Sequence, residues 1–350
     1  MPRLLRILPI LMLGLVAACE TPAPPPPPPP ILYVPRERAL ARSVFEEAAA
    51  FRQAMAAATA IGADFTDGES VARAVRAGAA FEPKQLQRGA VAFVAVTALG
   101  QPDFVDNFRQ YSIDRATRED MAAKILEKPY YAATFPYADR AAGLAITALD
   151  AIGAKAWIQG RTVQQAAYTI QNQPWARDAV VGRDYRLGEA KTLSGARLTP
   201  SATEVEAMRA AALHDAPISL ISTPVAGPYT DVVNRGLAIA ALAALGEAGE
   251  DRAEAILALL DEPTSLDCLS TSKLMLYQCL AGSDRGHYED IFCLGQHAIT
   301  DPGKCVVQAA GSPNPAFTPP PPPPIAAPAP KAKAKAKGKG PARRAPARKR

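Results

Sequence analysis

Ser270, Thr271, Ser272 and Lys273 set a hydroxyl and an amine three residues apart, and an amine beside a hydroxyl is one way a chain activates a nucleophile. A little further on, Cys279, His287, Cys293 and His297 bring together the thiol and imidazole groups that zinc prefers. Their spacings match no common zinc pattern, so both histidines are expected to serve as surface or packing residues. Glu69, within Gly68-Glu69-Ser70, is a carboxylate that could act as a general acid. It is equally a first-turn acid facing the positive end of a helix, and that reading is the simpler one. The sequence carries no C-x-x-C-H haem attachment, no phosphate-binding loop and no dinucleotide fingerprint, so no cofactor is expected.

Two short resemblances accompany these residues. "CLSTSKLM" resembles the nucleophile segment of serine β-lactamases and penicillin-binding proteins, which implies a serine nucleophile and a lysine one turn on. Those enzymes also need S-D-N and K-T-G elements much later, on a mixed α/β scaffold. Here Ser283-Asp284-Arg285 follows too soon and no K-T-G follows, so the segment is read as ordinary helix. "GES" is similar to the catalytic glutamate segment of lytic transglycosylases, but their Gly-Leu-Met-Gln element is missing. No catalytic, cofactor or metal residue is assigned.

The cysteines are better placed to bridge than to catalyse. Cys268 and Cys279 fall on one predicted helix, about 16 Å apart along its axis, whereas a disulfide needs Cα atoms within about 7 Å. The pairs Cys268–Cys305 and Cys279–Cys293 share a midpoint near residue 286. Nested pairs of this kind fit an antiparallel helical hairpin turning at residues 282–287, and those two disulfides are expected.

The elements that carry these residues read as helices. Apolar residues make up 49 % of the chain but aromatic residues only 6 %, so alanine, the best helix former, supplies much of the apolar count. Leu40, Val44, Ala48, Phe51 and Met55 recur at spacings of three and four, which predicts a helix over residues 36–61. Ser201 and Glu204 form a capping box before a further helix. Periodicity predicts others over 69–79, 85–99, 115–128, 138–171, 231–246, 251–261, 265–281 and 288–299, with no confident strand. The fold class is therefore all-α, an Ala-rich helical bundle or irregular helical repeat scaffold with disordered Pro-rich and basic termini. Residues 136–153 and 228–246 are self-similar, with a weaker echo at 83–100. This fits either a duplicated, solenoid-like scaffold or helices alike by composition.

The ends are of a different character. Arg3 and Arg6 precede a short apolar run ending in Val16-Ala17-Ala18-Cys19, a stretch that resembles the lipobox signal of bacterial lipoproteins. The resemblance implies that residues 1–18 are removed and that Cys19 is acylated. With Glu20 rather than Asp next, it favours the periplasmic face of the outer membrane over the inner membrane. Residues 24–30 are all proline, a polyproline rod in an acylated spacer over 19–35 that holds the body off the membrane. Helical regions are expected over 36–179 and 201–310, the second containing the Cys-rich hairpin, joined by a loop over 180–200. A Pro-rich linker over 311–330 precedes a disordered tail over 331–350.

That tail holds Lys331, Lys333, Lys335, Lys337, Lys339, Arg343, Arg344, Arg348, Lys349 and Arg350 and no acid. Without it and Arg3 and Arg6, 27 basic residues face 34 acidic ones, so an acidic body carries a basic tail. Such a tail suits a polyanion: peptidoglycan, lipopolysaccharide, anionic lipid or an acidic protein, rather than nucleic acid. The preferred expectation is a lipid-anchored envelope scaffold or tether. The alternative is an envelope enzyme acting on peptidoglycan, which a concave pocket with a buried acid or an assembled Ser–Lys pair would favour.

Overall fold

The computed structural model describes residues 37–213, 218 and 220–312, and these belong to a single compact unit. Among them are 13 α-helices and no strand, so the fold is all-α. The first helix, α1 (Arg42–Ala60), begins later than its periodicity predicts. The amides of Ala39 and Ala41 are taken by the carbonyls of Ala243 and Ala248, and these long-range bonds hold that stretch extended. The next helices are α2 (Gly68–Ala79), α3 (Pro83–Ala98), α4 (Pro102–Arg109), α5 (Arg115–Glu127) and α6 (Ala138–Ile170). Asp67 caps α2 in a reciprocal box with Ser70, and Glu82 caps α3 ahead of its first-turn proline.

The expected loop over 180–200 is corrected by α7 (Arg183–Gly195). Its apolar side is short, with Ala190 buried and Leu187 partly so, and its propensity is lowered by Gly188. Packing against α2 and α11 supplies what the local sequence lacks. The two expected helical regions accordingly share one core rather than flanking a linker. The chain continues through α8 (Ala202–Leu213), α9 (Asp231–Leu245), α10 (Ala253–Leu260) and α11 (Pro263–Gly282). It then turns back into α12 (His287–Cys293), a π-helical stretch (Leu294–Thr300) and α13 (Asp301–Ala310). This is the expected hairpin.

The three self-similar segments become α3, α6 and α9, which pack on one another at the centre. Their matching glycines, Gly89, Gly143 and Gly236, each sit where another element comes close. A Cβ on Gly143 would lie 2.1 Å from Thr223 O, and one on Gly236 would lie 2.2 Å from Val94 Cγ1. The likeness therefore has a packing use: small residues let large stretches of these helices touch. Helix α6 is long and apolar enough to cross a membrane by length and composition, but most of that stretch is buried in the body. It crosses the α12–α13 run antiparallel at two glycine pairs, Gly160 against Gly295 and Gly153 against Gly303.

Candidate binding groove

The apolar stripe of α1 carries an acid. Glu47 lies between Val44 and Phe51 on the face that meets α3, and it is only 4 % exposed. It lines a groove of about 1150 Å³ bounded by the first turns of α1, the segment around residues 197–200, α8, and residues Glu250 and Leu257. Leu40, Phe45, Val205 and Leu257 give the groove an apolar lining.

Its polar groups are mostly tied to one another. Arg88 forks onto Asp261 at 2.6 and 3.0 Å. The side chain of Gln85 clasps the backbone of Leu198 at both its N–H and its C=O. Arg209 reaches Glu206 at 2.8 Å, and Arg42 pairs with Glu46. Glu47 is held at one oxygen by Arg197, while its Oε2 is buried with no hydrogen-bond partner. Burial raises the Glu47 pKa, against the pull of Arg197 and the nearby Arg88. A carboxyl group with a raised pKa in a concave, partly apolar site can hold a proton nearer neutrality than an exposed acid and donate it.

The Ser–Lys pair is not assembled. Ser270 is exposed on α11, and no hydrogen bond joins it to Lys273. Lys273 is buried, with Nζ donating to Ala79 O at 2.7 Å and lying 3.4 Å above the Phe81 ring. Burial pushes its pKa well below the ordinary lysine value. The carbonyl end of α2 and the ring face favour the charged form, and partly offset that cost. Ser272 is equally committed, donating to His297 O at 2.7 Å. The two buried polar groups of this segment, Ser272 and Lys273, thus serve packing.

Glu69 is an exposed first-turn acid, as expected, and it pairs with Arg73 and Arg76. The cysteines form the expected disulfides, Cys268–Cys305 with Cα atoms 5.8 Å apart and Cys279–Cys293 at 5.6 Å. The thiolates of the rival metal set are thereby used up. His287 packs its ring on Gly68, and His297 Nδ1 meets Asp301 Oδ2 at 2.8 Å. Among the described residues no group of three or more His, Cys, Asp or Glu could hold a metal ion. Cys19 and the ten basic residues from Lys331 to Arg350 lie outside the described residues.

Glu47 had a signal in the sequence, since an acid three residues from Val44 and four from Phe51 interrupts an apolar stripe. Arg197 had none, because it reaches Glu47 across 150 residues. Comparison with protein-family models, curated proteins and solved structures finds no match to this chain.

Proposed function

We propose that this chain is a lipid-anchored envelope protein acting as a helical scaffold or tether. Acylated Cys19 holds it at the membrane, and the proline-rich spacer sets the body away from the headgroups. The basic tail contacts a polyanion: cell wall, anionic lipid, lipopolysaccharide or an acidic protein. The periplasmic face of the outer membrane is the favoured location. The observation that carries the reading is the nested pair of disulfides in the α11–α13 hairpin. Bridges of this kind persist in an oxidising compartment, which is where the lipobox-like start of the chain points. Membrane fractionation of Cys19→Ser tests the reading. The variant should fold normally and leave the membrane fraction; retention there in high salt would overturn the lipid anchor.

A second reading rests on the groove, where Glu47 is a buried acid in a concave site. On that reading the body is an envelope enzyme and Glu47 its proton donor. Loss of a measured hydrolytic activity in Glu47→Gln, with folding intact, would favour it over the scaffold.

A further inference from the structure

A second concavity, of about 400 Å³, lies where the C-terminal end of α6 meets the α11–α12 corner. Its walls gather aromatic rings in a chain poor in them. Tyr168 and Phe292 stand edge to face, with centroids 6.0 Å apart and planes at 82°. They form one corner of the cleft wall, with Tyr168 the more exposed ring. Tyr288 lines the same cleft, and Tyr168 is 39 % exposed.

Three polar groups border this corner. The Gln278 side-chain amide, exposed on α11, has no hydrogen-bond partner among the described residues. Gln171 gives a side-chain N–H to Tyr168 O and keeps its own carbonyl oxygen unspent. Glu289 is fixed by the backbone amides of Asp284 and Arg285, both held by Oε2 at 2.8 and 3.0 Å, which leaves Oε1 toward its neighbour Tyr288. Ser283, also in the wall, turns its hydroxyl away onto Asp290. The Cys279–Cys293 bridge ties α11 to α12 behind these groups, so the wall is pre-organised.

We infer that this cleft is a binding site for a pyranose unit of a glycan. A pyranose has a face of C–H groups that lies on an aromatic ring and an equatorial rim of hydroxyls that both donate and accept. Amide and carboxylate groups beside a ring corner answer those two features together. A purely aliphatic ligand would leave the Gln278 amide desolvated without a partner, at a cost. The cleft is large enough for one or two rings. The inference goes beyond the tethering function and depends on neither Cys19 nor the basic tail.

The test uses the disulfide-intact full chain with maltotriose and triacetylchitotriose as probes, read by saturation-transfer NMR and titration. At least one sugar should receive saturation at its ring C–H protons. Tyr168→Ala should weaken that binding about tenfold, while Tyr168→Phe, which keeps the ring, should stay within about twofold. Gln278→Ala should weaken it by about threefold or more. Unchanged circular dichroism checks that each variant folds. Absence of binding by both sugars at about 10 mM would overturn the inference. So would sugar binding unaffected by Tyr168→Ala and Gln278→Ala, or uptake of indole or phenol with neither sugar.

Discussion

Glu47 and Arg197, 150 residues apart in the chain, meet in the wall of the 1150 Å³ groove, and their burial is unequal. The carboxylate side chain is 6 % exposed and the guanidinium side chain 53 %. Removing the arginine leaves a charge buried and less compensated, whereas neutralising the acid releases an arginine into water. Arg197→Ala should therefore cost more than Glu47→Gln at neutral pH, by roughly 1–3 kcal/mol. The folded carboxyl binds its proton more tightly than the unfolded one, so wild-type stability should rise as pH falls toward 4.5, through the interval above it. Glu47→Gln should flatten that slope. Urea titrations across this interval measure both effects, and an equal slope in the variant would mean that Glu47 is not desolvated.

Lys273 has the opposite sign. Its folded pKa is lowered from 10.5, so the unfolded state holds the proton more tightly. Stability should then rise as pH climbs from the depressed value toward 10.5. Lys273→Met should remove that rise while costing less than about 1.5 kcal/mol at neutral pH, as expected for a similar apolar volume. Ala79 O would still accept from Ser194 Oγ at 3.0 Å, so no carbonyl is orphaned. Thermal melts at neutral and alkaline pH give the comparison. A loss much larger than this would show that the ammonium itself holds α2 against α11.

The disulfides should rank by the loop each closes. Cys268–Cys305 spans 37 residues and Cys279–Cys293 spans 14. Constraint of the unfolded chain alone makes the longer bridge worth about 1 kcal/mol more. Calorimetry of the two double Cys→Ala variants reads the difference. A reversed order would point to strain or enthalpy rather than loop entropy.

Deleting residues 331–350 should leave the melting transition in place and weaken association with isolated cell wall or anionic vesicles. The loss should grow with each Lys or Arg neutralised and shrink as salt is raised, because exposed charges are screened within about 8 Å at physiological ionic strength. Sedimentation at several salt concentrations measures it. Binding that survives at about 1 M salt would require a shaped docking site instead.

Much of this architecture could be read before folding, for specific reasons. Val44, Ala48, Phe51 and Met55 repeat with the period of a helix, and the cysteines share a centre that only a hairpin satisfies. Helix α7 was illegible because few of its residues are apolar and its stability comes from α2 and α11. Helix α13 was hidden by Asp301-Pro302-Gly303, which reads as a stop but works here as a first turn within a continuing helix. The groove was illegible for another reason. Gln85 with Leu198, Arg88 with Asp261 and Glu47 with Arg197 are each joined only by the tertiary fold.

The crossing of α6 with the final helical run has a numerical consequence. Seven residues separate Gly153 from Gly160, but eight separate Gly295 from Gly303. At about 100° per residue, seven residues fall some 20° short of two turns, whereas eight overshoot by about 80° and would swing one glycine off the contact. The wider π-helical turn between them takes up the extra residue and restores the phase. This stretch thus contains one residue more than its contacts require. Removing one residue from it would relax the turn to an ordinary α-helix, with Gly303 still facing Gly153 and Cys305 still facing Cys268. Adding one would throw both out of alignment.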